Sequence, residues 1–388
     1  MKIVMDFRKY DGVVGGTEQG AIQITRHICG RGDEVILVCK RHRLQEVEAL
    51  LVDVRGLSIL PLNVRSHLMS LRNVRLDSMF LQNLAVKEDA DLIHFYYNWS
   101  FPFRKKVPCV LTVHDVIPFT FREAMGFLMN RLIYRPSLRL ACKLNDVIVT
   151  VSQYSRKDIA RKVGVPVDKI RVIPNGLREP TIHDPERDAD VKKRFGLGAG
   201  YVLNVGGIHE RKNIARLVQA FARVCRSTGY KGSLVVTGSI SGAPYQEKMR
   251  RLCEAAVACS RMQGRVVFTG FVTEQEVDAL FRGADLFAYP SLYEGFGIPV
   301  LEAMKAGTPV VTSNLTAMPE VAGDAAVSVN PYSVEELATA MERVLSDHEL
   351  RTTLKRKGAE RAQRFSWQIT CEEYYRLYEE LSGRVLRS

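Results

Sequence analysis

Two glutamates stand in the stretch of the chain richest in chemistry, Ser291-Leu-Tyr-Glu294-Gly-Phe-Gly-Ile-Pro-Val-Leu-Glu302-Ala-Met-Lys-Ala-Gly307. Leu286–Tyr289 reads as a strand, and Gly295 and Gly297 form the loop leaving its carboxyl end. Pro299 suits a first helical turn, where its missing N–H costs nothing, and Gly307 suits the far cap. The N–H groups of Phe296, Gly297 and Ile298 would then point outward at the positive end of a helix dipole, a site for an anion such as phosphate. Glu302, about one turn into that helix, can accept hydrogen bonds from ribose hydroxyls, and Glu294 can accept them from sugar hydroxyls. An isolated pair so spaced would be ordinary surface acid. The strand, glycine loop and proline-led helix around this one favour a binding site.

A second segment supports it. Val205-Gly206-Gly207-Ile-His209-Glu210-Arg211-Lys212-Asn213 ends the strand Tyr201–Val205. Glycines there permit close approach of the main chain, and Arg211 with Lys212 offer two cations to a diphosphate. The plainer reading, a solvated helix start, is the weaker one after a strand and Gly-Gly. Nearer the amino terminus, His94 and His114 each end a predicted parallel strand, DLIHF and CVLTVHD, so both are expected to face a ligand crevice, with Asp115 beside the second. Gly15 and Gly16, in a turn after the first strand, would let main chain approach a diphosphate. No convincing covalent nucleophile is found.

These residues need a scaffold that brings strand ends together, and the chain supplies one twice. Short apolar runs at Lys2–Phe7, Glu34–Cys39, Ser58–Leu60, Leu92–Tyr96, Val110–Val113, Val147–Val151 and Arg171–Ile173 alternate with helical stretches. After a proline-bearing, charged stretch at 177–195, read as a linker, the alternation resumes at Tyr201–Val205, Leu234–Thr237, Val266–Thr269, Leu286–Tyr289, Pro309–Thr312 and Ala326–Val329. Nearly continuous apolar strands of this kind belong to parallel sheets covered on both faces. The fold class expected is therefore α/β, two Rossmann-like doubly wound domains facing across a cleft: residues 1–178, and 179–369. Open α/β sheets bind ligands at the carboxyl ends of their strands, so the chemistry is expected in that cleft. Thr273 with Glu276 and Ser333 with Glu336 mark two helix starts as capping boxes. A last helix, Ser366–Leu381, rich in Tyr and Trp, could pack back on the first domain.

Composition narrows the class. The chain has 388 residues, 46% hydrophobic and 25% charged, ordinary for a globular protein. Asp6 and Arg8 sit where a signal peptide would carry its apolar core, so a cytoplasmic protein is expected. Its eight cysteines form no CxxC pair and read as reduced, mostly buried thiols. Its eight histidines show no metal-ligand spacing. Asp89-Ala-Asp91 and Asp188-Ala-Asp190 look like a metal-binding DxD but fall before a strand and in the linker, so no metal and no cofactor are expected. The net charge of +12 is uneven: residues 1–180 carry 28 basic against 18 acidic side chains, and 181–388 carry 27 against 25. A basic first half suggests an anionic partner that meets that half alone. Phe101–Lys143 holds eight of the basic residues, Arg122 among them, interleaved with Phe, Leu, Ile and Tyr. It reads equally as an ordinary domain helix or as an amphipathic segment lying in an anionic membrane surface.

Along almost its whole length, and most strongly from Val172 to Gly323, the sequence resembles family 4 of the retaining, nucleotide-sugar-dependent glycosyltransferases, which have the GT-B fold. Glu294-x7-Glu302 corresponds to that family's E-x7-E motif, and Gly206-Gly-x-x-x-Arg211-Lys212-Asn213 looks like its diphosphate-binding segment. Val172-Ile-Pro-Asn-Gly176, Thr269-Gly-Phe-Val272 and Pro319-Glu-Val-Ala-Gly-Asp324 look like its recurring blocks, and Phe365-Ser-Trp367 like its crossover of a final helix, about 370–388, to the first domain. The resemblance implies that Arg211 and Lys212 neutralise the leaving diphosphate, that Glu302 holds the ribose and Glu294 orients the donor sugar, and that main chain near Phe271 and Val272 reads the base. It implies a contact of His114 with the donor sugar, Asp115 and His94 serving the acceptor side. Gly207 departs from the pattern, since many members carry an arginine there, which leaves the diphosphate more dependent on Arg211 and Lys212. The branch most similar to this sequence implies GDP-mannose as donor and a glycan or polyprenyl-linked acceptor in surface polysaccharide synthesis. A nucleotide-sugar epimerase of the same fold and a non-catalytic binder of anionic ligands are the alternatives. A dehydrogenase is weaker, because neither glycine loop reads GxGxxG. A nucleic-acid binder would not explain Glu294 and Glu302, and no nucleic-acid module is recognisable.

Overall fold

A computed structural model of the chain describes residues 1–64, 70–121, 125–238 and 244–383. Contacts divide it into two compact units. One comprises Met1–Phe119, Gly126–Gly176 and Ser366–Ser388, the other Thr120–Met125 and Leu177–Phe365.

The first unit is built on seven strands: β1 (Lys2–Asp6), β2 (Glu34–Lys40), β3 (Leu57–Leu62), β4 (Leu92–Phe95), β5 (Cys109–Thr112), β6 (Val147–Thr150) and β7 (Ile170–Val172). They lie in the order β3-β2-β1-β4-β5-β6-β7, every pair parallel, with Val4 beside Ile36 on one side and Ile93 on the other. Such an order reverses direction between β1 and β4, and the crevice beyond a reversal point is where open sheets take ligands. Ile3, Val4 and Met5 are wholly buried, as strands covered on both faces require. One cover is the helix Gly16–Gly30, and beside it packs the helix Trp367–Leu381. Ser366 caps that last helix, and Cys371, Tyr374, Leu377 and Tyr378 enter the same core as Met5 and Ile24. Gly176 makes room for the crossover: a Cβ there would stand 2.5 Å from the Trp367 Cα, so no larger residue fits.

The second unit has six parallel strands: β8 (Tyr201–Val205), β9 (Ser233–Thr237), β10 (Val266–Gly270), β11 (Leu286–Tyr289), β12 (Val310–Ser313) and β13 (Val327–Val329), in the order β10-β9-β8-β11-β12-β13. Its switch point lies between β8 and β11, and the two glycine loops singled out above leave those two strands. The Thr273–Glu276 capping box forms in full. At the second predicted box the Ser333 hydroxyl accepts from the Glu336 N–H, while the Glu336 carboxylate accepts instead from the Asn330 N–H at 3.1 Å.

The stretch 177–195 is not all linker. Pro185–Arg194 is a helix, with Pro185 in its first turn and the Asp184 carboxylate accepting from the Arg187 N–H. Its high charge hid it, because only Val191 is buried and no apolar periodicity is needed. All eight cysteines are unpaired thiols, six of them buried, with Cys225 partly exposed and Cys259 exposed. Among the described residues no helix is long and apolar enough to cross a membrane.

Candidate active site

The second unit assembles a buried ion cluster at its switch point. After β8 the chain turns through Gly206 and Gly207, both at positive φ, into a short turn at Glu210–Lys212. A Cβ on Gly206 would lie 2.9 Å from the Lys212 Nζ, so the missing side chain is the space the ammonium occupies. Asn213 follows in the left-handed region, and its side-chain amide donates to the carbonyls of Pro290 (3.2 Å) and Pro331 (2.7 Å). The Leu292 N–H donates to the Arg211 carbonyl at 2.7 Å. These bonds fasten the loop after β8 to the loop after β11, and two cations meet one carboxylate as a result.

That carboxylate is Glu294. Its Oε1 lies 2.7 Å from the Arg211 Nη1, 2.8 Å from the Lys212 Nζ and 3.0 Å from the Tyr289 hydroxyl, which donates to it. Lys212 also donates to the Tyr289 oxygen, its Nζ 4.4 Å from the centroid of that ring. Lys212 and Glu294 are buried, at 4% and 7% exposure, so these interactions are little screened by solvent. Burial alone would raise the Glu294 carboxyl, but Lys212 and Arg211 outweigh it and hold it below its ordinary range. Tyr289 moves far the other way, through burial and the adjoining Glu294 charge, and remains a phenol. Tyr289 is a site residue that sequence reading passed over as an ordinary apolar strand end. Its place, last in β11, was the available signal.

Past Glu294 the chain enters the helix Ile298–Lys305 through Gly297, at φ +109°, where a Cβ would stand 2.2 Å from the Met318 methyl carbon. The first N–H groups of any helix have no partner within it, and Pro299 removes one such group at no cost. Phe296 is buried edge-on against Phe365, their rings 5.7 Å apart. Glu302 follows on the helix, its Oε1 3.3 Å from the Arg178 Nε. Burial raises its carboxyl, with Arg178 opposing the rise. Phe271 is exposed and Val272 buried, immediately ahead of the Thr273 cap. Gly238, which sequence reading did not single out, closes the same region. It adopts φ +133°, and a Cβ on it would lie 2.2 Å from the Gly207 Cα.

At the carboxyl edge of the first sheet the histidines part company. His114 lies two residues beyond β5 and is half-buried, its ring edge-on to Tyr96 at 5.6 Å. Its Nε2 is shielded and finds no partner among the described residues. Burial, aided by the Lys9 charge, lowers its pKa to about 3, so the ring is neutral at physiological pH. The neighbouring Asp115 accepts from the Ile117 N–H at 2.9 Å. His94 corrects the expectation made for it. It lies inside β4, wholly buried, with Nδ1 2.6 Å from the Tyr378 hydroxyl and Nε2 2.8 Å from Thr112 Oγ1. Both ring nitrogens are spent on the core beneath the final helix, so His94 reaches no acceptor. Gly15 is likewise engaged, its N–H donating to the Glu18 carboxylate at 3.1 Å just ahead of the helix that Gly16 begins.

A buried cluster at the end of β1 was not foreseen. The Arg8 guanidinium grips both oxygens of Asp6, at 2.7 and 2.8 Å, and Asp77 at 2.6 Å, while the Phe101 N–H donates to Asp77 at 3.0 Å. One aspartate of each DxD-like pair has a structural partner: the Asp91 carboxylate accepts from the Lys2 N–H at 2.7 Å, and Asp188 receives two Arg282 nitrogens at 2.8 and 2.6 Å. No group of three metal-ligating side chains occurs among the described residues.

The basic, apolar segment of the first unit forms helical turns at Met129–Tyr134 and Arg135–Leu144, while Arg122 falls outside the described residues. Leu138, Ala141 and Cys142 face the core. Leu128, Met129 and Leu132 are exposed at 67%, 52% and 65%, beside Phe127 and Arg131. The outer face is thus apolar as well as basic.

Two doubly wound parallel sheets, with a pair of cations and a glutamate gathered at a glycine-loop switch point, define a nucleotide-sugar glycosyltransferase of the GT-B type. The model for glycosyl transferases group 1 matches residues 186–361, and that for Glycosyltransferase Family 4 matches residues 14–178. The chain belongs to this glycosyltransferase family and is an enzyme of that class. It is 31% identical over 305 residues to the O-antigen chain mannosyltransferase B of Escherichia coli, covering 77% of each chain. It is 27% identical over 290 residues to the serotype-specific mannosyltransferase WbdA of E. coli, covering 72% of this chain and 35% of that one; it therefore spans about a third of WbdA. Among solved structures, a glycosyltransferase from Rickettsia africae superposes with a TM-score of 0.76 at 15% identity, over 98% of each chain.

Proposed function

We propose that this enzyme transfers a mannosyl residue from GDP-mannose to a glycan or polyprenyl-linked acceptor during surface polysaccharide synthesis, with retention at the anomeric carbon and without a metal. The observation that carries the proposal is the meeting of Arg211, Lys212 and Tyr289 on one oxygen of Glu294. Its relatives' names, mannosyltransferases of O-antigen chains, support the sugar and the setting.

In this reading Arg211 and Lys212 take the donor diphosphate, helped by main-chain N–H groups of Phe296, Gly297 and Ile298 at the helix start. The diphosphate takes over part of the neutralisation that Glu294 provides, which leaves the glutamate able to accept from hydroxyls of the donor sugar. Glu302 accepts from the ribose, and main chain at Phe271 and Val272 reads the base. In the first unit the neutral His114, with Asp115 beside it, is the group proposed to serve the sugars. The bond from the anomeric carbon to the phosphate oxygen breaks, and the bond to the acceptor oxygen forms on the same face. The leaving phosphate oxygen receives the acceptor proton. Catalysis then consists of charge stabilisation and orientation, with no covalent glycosyl-enzyme. The exposed apolar and basic residues from Phe127 to Leu132 support contact with an anionic membrane that carries the acceptor.

The test is transfer of radiolabelled mannose from GDP-mannose to a polyprenyl-diphosphate-linked oligosaccharide, compared with UDP-, dTDP- and ADP-sugars. Transfer from GDP-mannose that persists in EDTA and is lost in Lys212→Ala is the expected result. Conversion of the donor to an epimer without any acceptor would instead establish the epimerase reading. Full activity in Lys212→Ala would overturn the site.

A further inference from the structure

Arg178, which no motif marks, stands just inside the second unit, next to Leu177. Its two terminal nitrogens embrace Asp278 on the helix Glu274–Gly283: Nη1 donates to Oδ2 at 2.9 Å and Nη2 donates to Oδ1. Asp278 is buried and also accepts from the Thr181 N–H at 2.7 Å, so its carboxylate is fully spent. The guanidinium is therefore locked in one orientation. Its remaining nitrogen, Nε, stands 3.3 Å from the Glu302 Oε1, which leaves Oε2, for which the described residues supply no partner. Arg178 and Glu302 line one cavity of about 220 Å³, together with Thr181, His183, Arg282 and Lys305.

We infer that Arg178 is a positioning residue for donor recognition: clamped by Asp278, it fixes the Glu302 carboxylate so that the free oxygen meets the ribose hydroxyls of a nucleoside diphosphate. The inference rests on the reading of Glu302 as the ribose acceptor. A guanidinium is suited to this because its rigid fork can hold one carboxylate with two nitrogens and turn the third to another, which a lysine cannot do. Glu302 and Asp278 share the Arg178 guanidinium in a site where burial already disfavours the charged glutamate. Without Arg178 the glutamate would tend to take up a proton, and an acceptor of two hydroxyl bonds would become half a donor.

The experiment is calorimetric binding of GDP and of 2′,3′-dideoxy-GDP to the full chain, with the UDP pair used in the same way should uridine bind more tightly. Wild type is expected to prefer the ribonucleotide by ~10-fold or more, the scale of hydrogen bonds to a charged group. Glu302→Gln and Arg178→Gln should each bring the preference close to one, and the double variant should lower it no further. Arg178→Lys keeps a cation for Asp278 and should fold, yet it should still lose most of the preference. A purely structural role for Arg178 would weaken both nucleotides equally and leave their ratio intact. Retention of the full ratio in Arg178→Gln or Arg178→Lys, while Glu302→Gln loses it, overturns the inference alone. Absence of any preference in wild type, or its survival in Glu302→Gln, overturns the ribose reading and the inference with it.

Discussion

Tyr289 makes three contacts within the ion cluster: its ring centroid lies 4.4 Å from the Lys212 ammonium, its oxygen accepts from that ammonium, and its hydroxyl donates to Glu294. Tyr289→Phe keeps the ring and removes the hydroxyl, and we expect a loss of about tenfold in kcat/KM with the fold retained. Glu294→Gln should cost about a hundredfold or more, since it takes a charged partner from buried Lys212 and half-buried Arg211 and, on the proposed reading, from the donor sugar. Steady-state kinetics on the two variants decides the matter, and equal losses would contradict these separate roles. Asp77 is one contributor to behaviour in acid. Burial raises the Asp77 carboxyl to about 6, with the Arg8 charge opposing. A carboxyl whose folded pKa exceeds its unfolded value near 4 binds more protons in the native state, so its contribution to stability falls as pH rises from about 4 to about 6. Asp77→Asn should flatten that part of the curve, measured by urea unfolding across the window, and an unchanged slope would exclude Asp77 as its source. Sequence could point to Glu294, Glu302, Arg211 and Lys212 because their spacing around glycines is local. It misplaced His94 because the partners that bury it, Thr112 and Tyr378, come from far along the chain.

At the scale of elements, the strands were the most legible part, because a strand buried on both faces must be apolar throughout. The helix Pro185–Arg194 was not legible, since it buries one side chain and reads as a charged linker. Close packing was equally hidden. Nothing near Gly238 in the sequence says that the Gly207 main chain will pass within van der Waals range. Gly238→Ala should therefore lower the thermal midpoint and donor affinity together, because the displaced loop carries Arg211 and Lys212; a variant with wild-type affinity would show that the loop has room to move. In the basic segment of the first unit Lys105 pairs with Asp146 and Lys106 donates to Asn83, so the exposed apolar residues give the cleaner test of membrane contact. Leu128→Glu with Leu132→Glu should reduce sedimentation with vesicles of phosphatidylglycerol while sparing transfer to a soluble acceptor. Unchanged vesicle binding would remove the membrane from the proposal.

Among the described residues of the second unit, Arg211 and Lys212 meet at Glu294, the arrangement proposed above to take a diphosphate. A nucleoside diphosphate should accordingly stabilise the second unit by mass action, by ~2.7 kcal/mol at a concentration about a hundred times Kd. The chain enters the second unit after Gly176 and leaves it before Ser366, so that unit is one uninterrupted run of sequence apart from Thr120–Met125. The first unit is not: its core is roofed by Cys371, Tyr374, Leu377 and Tyr378 from the far end of the chain. A ribosome has to finish all of the second unit before those residues emerge. Until then His94 lacks the hydroxyl that satisfies its Nδ1, and the apolar face around Met5 and Ile24 stays uncovered. The first unit, though it precedes the second in sequence, can therefore complete its core only after the second has been made.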